Sequence, residues 1–252
     1  MARIVFKHHR QTTNLGDAVC SPYDYYPELA CAGAAVDLER ETPPCEAVIY
    51  GGGKIMGGLA KTFGPHDRAA KARIAWGVST VQKFPISLRY WRAFKAMTLI
   101  GTRDWGDTRF LFAPCVTCVS PAFDMHTEER HEVALYLHHW RSKKVSLPRP
   151  EGVPVMENNN PDFAATIRHL AAARVVVTNS YHGTYWALLL GKKVLCLPFS
   201  NKFGNFRITP GYGTAEDWPR QLSRARSSDE MLDLCRMATA GFRARVEALI
   251  GL

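Results

Sequence analysis

A histidine among polar residues is the strongest candidate for catalytic chemistry in this sequence. His182 follows a β-branched run at 174–178 and precedes an apolar run, so it lies at or just before a predicted helix N-terminus. Free N–H groups and the helix dipole at such a position suit a histidine that exchanges protons with a bound ligand. A single histidine is more often structural, but the polar residues just before this one are suited to substrate binding. They are Asn179, Ser180 and Tyr181.

A first loop with candidate binding residues follows the first predicted strand. It contains Asn14, Gly16 and Asp17. Glycine lets the backbone approach a ligand closely, and aspartate can cap the following helix. Capping alone is a sufficient explanation for Asp17.

A glycine run follows the second predicted strand. Gly51, Gly52 and Gly53 precede Lys54, and backbone N–H groups beside a lysine suit a phosphate. The run does not match the dinucleotide fingerprint, because Met56 occupies the position of the third glycine. It does not match a P-loop either, because leucine stands where that motif needs lysine.

Charged residues follow two further predicted strands. Arg103 and Asp104 come after the run at 97–102, where a guanidinium can hold a carboxylate or a phosphate. Lys202 comes after the run at 193–198 and offers another cation. A salt bridge to a neighbour would also explain Arg103, and a solvated surface position would also explain Lys202.

Alternating strands and helices must position these residues. Short apolar and β-branched segments predict strands at 3–7, 47–50, 73–77, 97–102, 132–137, 174–178 and 193–198. The segments between and after them predict helices at 17–31, 59–69, 85–96, 161–173, 183–190 and 228–249. This alternation predicts an α/β fold with parallel sheets, in which ligands bind at the carboxyl ends of the strands.

The length of the chain and one break in the alternation predict two domains. A chain of 252 residues can form two domains of about 125 residues each. Between 113 and 131, two prolines, a C-x-x-C motif and mixed charges interrupt the pattern. We therefore expect an N-terminal domain at 1–125 and a C-terminal domain, with the His182 segment, at 126–252.

The cysteines are predicted to be free thiols. There are seven, an odd number, and the chain shows no export signal. Cys115 and Cys118 form the one C-x-x-C motif, but a structural zinc site needs four ligands and no second pair accompanies them. We expect no metal site, and we attribute the histidine pairs at 8–9 and 138–139 to structure.

Charge and hydropathy limit the possible classes of protein. An excess of 32 Lys and Arg over 23 Asp and Glu gives a net charge of +9, which predicts anionic partners. Hydrophobic residues make up 46% of the chain, which excludes extensive disorder. The longest apolar stretch, 185–190, is far shorter than the roughly 20 residues that span a bilayer, and the first residues lack a signal-peptide core. We therefore expect a cytoplasmic protein.

The order of these segments resembles the polysaccharide pyruvyl transferase family. The resemblance extends over about residues 14 to 203, through the segments 14–17, 51–53, 103–104 and 178–194. The last segment, Thr-Asn-Ser-Tyr-His-Gly-Thr followed by an apolar helix and Gly-Lys-Lys-Val, is the most specific. The resemblance implies a glycosyltransferase-B-like fold, with two Rossmann-like domains that face each other across a cleft.

The resemblance also implies a reaction and roles for the candidate residues. Family members transfer a pyruvyl group from phosphoenolpyruvate, as a ketal, onto two sugar hydroxyls during capsule, exopolysaccharide or cell-wall assembly. Phosphoenolpyruvate is then a co-substrate, and no cofactor is expected. By this resemblance, His182 transfers the proton, Arg103 holds a donor anion, and residues 51–54 line the phosphate. Asn14 and Asp17 either contact the acceptor hydroxyls or shape the first loop.

One position departs from the family pattern. Many members have an arginine two residues before the histidine, where this chain has Ser180. We expect another cation to replace it, and Lys202 and Arg207 are the candidates.

Two other functions are compatible with the sequence. A nucleotide-sugar glycosyltransferase uses the same two-domain fold, and fold alone does not settle function. A basic protein that binds nucleic acid or a membrane surface would explain the charge, but the basic residues are dispersed and no nucleic-acid motif is present. The short clusters at 141–144 and 220–226 suit weak peripheral contact with the inner face of a membrane, which a lipid-linked acceptor would make useful.

Overall fold

A computed structural model describes residues 3–59, 61–81 and 87–252, and divides the chain into two compact units. Unit 1 comprises the described residues of Met1–Thr12, Asp17–Val119 and Cys235–Leu252, and unit 2 comprises Thr13–Gly16 and Ser120–Leu234. The sequence-based division at 125/126 differs from this one mainly at the C-terminus. Residues 235–252 belong to unit 1 rather than to unit 2, because Phe242 packs edge-on against Trp76 with ring centroids 5.1 Å apart.

Unit 1 contains a parallel sheet that has six strands in the described residues, in the order β2-β1-β3-β4-β5-β6. The strands are β1 (Ile4–His8), β2 (Gly33–Asp37), β3 (Ala47–Gly53), β4 (Ala72–Val78), β5 (Leu99–Thr102) and β6 (Leu111–Phe112). Apolar clusters cover both faces of this sheet, and most residues of its central strands are therefore apolar.

Unit 2 contains a second parallel sheet, with five strands in the described residues, in the order β11-β10-β9-β7-β8. The strands are β7 (His131–Leu137), β8 (Val155–Glu157), β9 (Ala173–Thr178), β10 (Lys193–Cys196) and β11 (Gly211–Tyr212). Strand β9 lies at the centre, and only Arg174 at its start is exposed. The fold is therefore α/β with two parallel sheets flanked by helices, as the alternation predicts.

Most of the predicted helices are shorter or more interrupted in the structure. They are α1 (Leu15–Ala18), α2 (Pro27–Cys31), α3 (Met56–Leu59), α4 (Pro65–Ala69), α5 (Leu88–Ala96), α6 (His139–Ser142), α7 (Phe163–Ala171), α8 (Tyr181–Leu189) and α9 (Met231–Ile250). The single helix predicted at 17–31 is wrong. Pro22 and Pro27 divide it into α1, a 3₁₀ turn (Pro22–Asp24) and α2, because proline cannot donate the hydrogen bond a helix interior needs.

Two further predicted helices also differ from the observed ones. The helix predicted at 59–69 is wrong over its first part, since α3 ends at Leu59 and α4 begins only at Pro65, after Gly64. Pro85, the predicted start of another helix, lies outside the described residues, and α5 begins at Leu88. Among the described residues, none of the helices has both the length and the apolar character needed to cross a membrane.

A buried ionic network fixes the middle of the sheet in unit 1. Lys7 and Asp67 are both fully buried, with Nζ and Oδ1 3.8 Å apart. Lys7 Nζ donates to the Arg40 carbonyl (2.8 Å) and to Thr42 Oγ1 (2.9 Å). The Asp67 carboxylate accepts from Thr42 Oγ1 (2.8 Å) and from the Tyr50 hydroxyl. Burial lowers the pKa of Lys7, and the Asp67 carboxylate opposes that shift.

Removing one charge of this network should destabilise unit 1. We expect Asp67→Asn to lower the free energy of unfolding by about 3 kcal/mol or more at neutral pH, because Lys7 then stays buried without its countercharge. Glu46 pairs with Arg3 at the surface and is a matched control, so Glu46→Gln should cost less than about 0.5 kcal/mol. Urea unfolding followed by tryptophan fluorescence measures both. Equal costs for the two variants would contradict the prediction.

Candidate functional site

His182 lies in the first turn of α8, after the carboxyl end of the central strand β9. Ser180 caps this helix, since its Oγ accepts a hydrogen bond from the Gly183 N–H (3.3 Å). The His182 side chain lies between two aromatic rings, with centroid distances of 5.6 Å to Tyr181 and 5.3 Å to Trp186. Only 5% of His182 is exposed, so its surroundings are fixed by packing.

The backbone of Gly16 packs directly against the His182 ring. A Cβ atom added at Gly16 would lie 1.9 Å from His182 Nδ1 and 2.3 Å from its Cγ. Any residue other than glycine would therefore displace the ring or the loop. The first loop and the histidine segment are 166 positions apart in sequence, by 182 − 16, and they meet within unit 2.

Asn158 holds the first loop in this position. Its carbonyl accepts from the Leu15 N–H (2.8 Å), and its Nδ2 donates to Asn14 Oδ1 (2.8 Å). Its Oδ1 accepts from the His139 N–H (2.8 Å), which connects the same side chain to the start of α6. Asn14 thus shapes the loop through its side chain, which is one of the two roles expected of it.

The Asn179 side chain connects two turns at the carboxyl edge of the second sheet. Its Oδ1 accepts from the His138 N–H (2.7 Å) after β7, and its Nδ2 donates to Ser142 Oγ (3.1 Å) in α6. Ser142 Oγ in turn donates to the His138 carbonyl (2.9 Å). Asn179 therefore supports the turn after β7, whereas Ser180 supports the turn that carries His182.

A cavity of about 460 Å³ opens at this edge of the second sheet. It lies at the ends of four strands, and the lining residues that matter chemically are Arg141, Lys144, Asn179, Phe199, Thr214 and Glu216. Two cations against one carboxylate give this lining a net positive charge. The volume is in the range of small-molecule sites and can hold a ligand larger than a three-carbon acid.

Phe199 forms an aromatic wall of this cavity between two cations. The Arg141 guanidinium lies 4.7 Å from the ring centroid, and Lys202 Nζ lies 4.9 Å from it. Lys202 Nζ is also 5.2 Å from the Phe203 ring and 5.8 Å from the Tyr181 ring. Cation–π contacts of this kind hold Lys202 beside the His182 turn. Arg207 is half-buried in the same unit.

The glycine run in unit 1 packs against a loop. A Cβ atom at Gly51 would lie 3.1 Å from the Cys20 carbonyl, and one at Gly52 would lie 2.3 Å from Cys20 Sγ. Gly52 and Gly53 have positive φ angles of 34° and 77°, which favour glycine. The next residue, Lys54, is exposed. Much of the space that we expected a phosphate to use is therefore filled by Cys20.

Arg103 and Asp104 are both buried at the end of β5, with exposures of 4% and 0%. Asp104 Oδ2 accepts from Ser79 Oγ (2.9 Å) and from the backbone N–H groups of Thr80 (2.7 Å) and Val81 (2.9 Å). Asp104 thus organises the loop after β4.

Arg103 lies close enough to Cys20 and Cys115 in unit 1 to influence the pKa of both thiols. Burial raises the pKa of the Cys20 thiol well above its ordinary value, Cys115 and Asp17 add to the shift, and Arg103 opposes it. Burial also raises the pKa of Cys115, and Arg103 again opposes the shift. Asp17 Oδ1 would lie 3.5 Å from a Cβ atom at Gly53. Asp17, Gly53 and Arg103 therefore lie in one neighbourhood of unit 1.

The predicted residues thus form one group in each unit. Unit 2 brings together the candidates Asn14, Asn179, Ser180, Tyr181, His182 and Lys202. Unit 1 brings together Asp17, Gly53 and Arg103, whereas Lys54 is exposed and Asp104 faces the loop after β4.

Sequence reasoning missed Asn158, Arg141, Lys144 and Cys20 as parts of these groups. The three consecutive asparagines at 158–160 and the basic cluster at 141–144 were the available signals. Neither signal shows by itself which loop or cavity the side chains contact.

The described residues contain no group of three or more His, Cys, Asp or Glu side chains placed to hold a metal ion. All seven cysteines are free thiols, as predicted. Comparisons of this chain with models of known protein families and with curated proteins find no match.

The contact between Gly16 and His182 can be tested by adding one methyl group. We expect Gly16→Ala to lower the free energy of unfolding by about 1–3 kcal/mol, because the new Cβ overlaps a buried ring. Gly241 in α9 has open space around its Cα, so Gly241→Ala should be neutral or stabilising by up to about 1 kcal/mol. Chemical unfolding measures both, and a Gly16→Ala protein as stable as the Gly241→Ala protein would show that the loop does not touch the ring.

Proposed function

We propose that this protein transfers a pyruvyl group from phosphoenolpyruvate, as a ketal, onto two hydroxyls of a saccharide. The observation that carries the proposal is the packing of Gly16 against His182. The resemblance to polysaccharide pyruvyl transferases rests in part on the segments 14–17 and 178–194. These two segments meet at the buried imidazole of His182. By the same resemblance, the acceptor belongs to a capsule, an exopolysaccharide or a cell-wall polymer, or to its lipid-linked precursor, and a glycosyltransferase-B-like fold is proposed with it.

The proposed reaction adds two alcohols to the enol carbon of the donor. A proton adds to the methylene carbon C3, which becomes a methyl group, and positive charge develops at C2. One sugar hydroxyl bonds to C2 and loses its proton, and the C2–O bond to phosphate breaks. The second hydroxyl then bonds to C2, and its proton is transferred to the released phosphate. Two hydroxyl protons are lost, one is gained by carbon and one by phosphate, so the step balances.

His182 is proposed as the group that delivers the proton to C3. Its burial beside Tyr181 and Trp186 keeps bulk water away from the ring, which favours a directed transfer over exchange with solvent. Gly16 and the Ser180 cap restrict the movement of the ring and of its helix turn. A fixed donor of this kind contributes typically 10²- to 10⁴-fold to a rate.

The anionic groups of the donor substrate, phosphoenolpyruvate, are proposed to bind in the cavity beside Asn179. Phosphoenolpyruvate carries a carboxylate and a phosphate, so its site needs several cations. Arg141 and Lys144 line the cavity, and Lys202 shares the Phe199 ring with Arg141. These three cations are proposed to replace the arginine that many family members have at the position of Ser180.

Residues of unit 1 stay candidates for substrate contact. Arg103 is proposed to bind an anionic group of phosphoenolpyruvate, and Lys54 is proposed to bind its phosphate. Asp17 is proposed to contact the hydroxyls of the acceptor. Of the glycine run, Gly53 is the best candidate, because Gly51 and Gly52 already pack against the Cys20 loop.

A panel assay tests the proposal. We expect the protein to release phosphate from phosphoenolpyruvate when a suitable glycoside is present, with a product heavier by one pyruvyl unit. His182→Gln should lower kcat by roughly 10²- to 10⁴-fold with little change in KM, because only proton delivery is lost. His131 is an exposed histidine of the same unit, so His131→Gln is the matched control and should keep full activity.

Two results of this assay would contradict the proposal. Near-normal turnover by a folded His182→Gln protein would remove the histidine from the mechanism. Turnover of nucleotide sugars without consumption of phosphoenolpyruvate would favour the nucleotide-sugar glycosyltransferase, which the size of the cavity and its Phe199 wall also suit.

The cations can be tested separately from the proton donor. Lys202→Ala and Arg141→Gln should each raise the KM for phosphoenolpyruvate about tenfold or more, since a hydrogen bond to a charged group contributes about 1.5–3 kcal/mol. Lys143 lies in the same short basic cluster but does not line the cavity, so Lys143→Gln is the control and should leave KM within about twofold. An unchanged KM in either variant would remove that residue from the donor site.

A further inference from the structure

Helix α5 carries a surface that combines exposed apolar groups with cations. Its outward side, here called the α5 outer face, consists of Leu88, Trp91, Arg92 and Lys95. The spacing i, i+3, i+4, i+7 places these four residues on one side of the helix. Leu88 is 59% exposed and Trp91 is 52% exposed, so two large apolar side chains lie at the surface within one turn of the same helix.

The opposite side of α5 is anchored in unit 1. Ala93 is fully buried, and Tyr90 and Phe94 pack against the apolar cluster on the same face of the sheet. A Cβ atom at Gly57 of α3 would lie 2.7 Å from the Tyr90 ring, so that glycine lets the ring approach closely. Because this packing fixes the rotation of the helix, Leu88 and Trp91 cannot turn inward.

The charge on this helix has one sign. Helix α5 contains Arg89, Arg92 and Lys95 and no acidic residue. Among the residues that the structure describes, none of these three cations forms an ion pair. Lys95 Nζ lies 5.8 Å from the Trp91 ring, so cation and aromatic ring belong to one surface.

An apolar groove of about 280 Å³ adjoins the helix. Its lining includes Phe94 and Met97 at the end of α5 and Leu111 on the edge strand β6, and Leu111 is 37% exposed. The Arg109 guanidinium lies 5.3 Å from the Phe94 ring and adds a cation to the rim. The α5 outer face is therefore bordered by more apolar surface and by more positive charge.

We propose that the α5 outer face binds the surface of an anionic phospholipid membrane. Tryptophan and leucine bury in the boundary between headgroups and acyl chains, while arginine and lysine extend to the phosphates. Each cation near an anionic surface strengthens binding severalfold, and acid groups on the same helix would weaken it. A nucleic acid would satisfy the cations and stack on Trp91, but it would leave Leu88 and the apolar groove in water.

This inference goes beyond the proposed function and does not depend on it. The surface consists of residues outside both groups of candidate site residues. A protein that acts on a lipid-linked acceptor would gain from such contact, but membrane binding can be measured in the absence of any substrate.

Vesicle flotation tests the proposal with the full chain. We expect the protein to float with phosphatidylcholine vesicles that contain phosphatidylglycerol, to stay behind with phosphatidylcholine alone, and to be released as ionic strength rises. Trp91→Ala and the double variant Arg92→Gln/Lys95→Gln should each weaken binding about tenfold. These side chains are exposed, so thermal unfolding should be unchanged.

Trp140 provides the matched control. It is 61% exposed in unit 2 and also lies beside a lysine, Lys143, whose Nζ is 5.2 Å from its ring. Trp140→Ala should leave vesicle binding within about twofold of the original protein.

Three outcomes would overturn the proposal. The first is no flotation with anionic vesicles, or equal flotation of the Trp91→Ala protein. The second is loss of binding through Trp140→Ala alone, which would place the membrane contact in unit 2. The third is a dimer in light scattering that Trp91→Ala dissociates, because a second copy of the chain would then cover the face.

Discussion

The contact between the Gly16 backbone and the His182 ring is the constraint on which the candidate site depends. It is possible only because residue 16 has no Cβ atom, and it leaves the imidazole no room on that side. Asn158 holds the approaching loop by hydrogen bonds to both Asn14 and Leu15. A buried ring that is fixed by backbone, by aromatic neighbours and by a helix cap suits a proton donor, which must be held close to one carbon atom of its substrate.

Each unit adds polar groups at the carboxyl edge of its own parallel sheet, where strand-end loops and helix N-termini meet. In unit 2 the cations Arg141 and Lys202 lie against the Phe199 ring and Lys144 lines the same cavity, so an anion can bind beside the turn that carries His182. In unit 1 the charge of Arg103 is buried near two thiols and Asp17. Burying a charge lowers the free energy of unfolding unless an ion pair or a bound ligand compensates for the lost hydration. Buried charges of this kind are therefore often found at functional sites.

The strands that carry these residues could be predicted from the sequence, because strands buried on both faces appear as continuous apolar runs. All seven predicted strands occur in the structure, and the strands that were missed, such as β2 and β6, are short or half-buried edge strands. The helix predicted at 17–31 was wrong because Pro22 and Pro27 divide this segment. The position of His182 at the start of a helix was predictable from its place after a buried strand.

The partners of His182 could not be predicted in the same way. Gly16 and Asn158 are distant in sequence, and only the course of the folded chain brings them together. Arg141 and Lys144 were recognised as a basic cluster, but whether they line a cavity depends on the loops after β10 and β11. The proposed reaction rests on the resemblance to pyruvyl transferases. Ser180 is the position at which this chain differs from the many members that have an arginine there.

The central claim is that His182 protonates the methylene carbon of phosphoenolpyruvate during ketal formation. The most direct measurement is the reaction in heavy water, followed by proton NMR of the pyruvyl methyl group and by phosphate release. We expect one deuterium in each methyl group and one phosphate for each ketal, because one solvent-derived proton is added to C3, and we expect His182→Gln to slow this deuterium incorporation by roughly 10²- to 10⁴-fold. A ketal whose methyl group contains no deuterium, or a product formed without consumption of phosphoenolpyruvate, would contradict it.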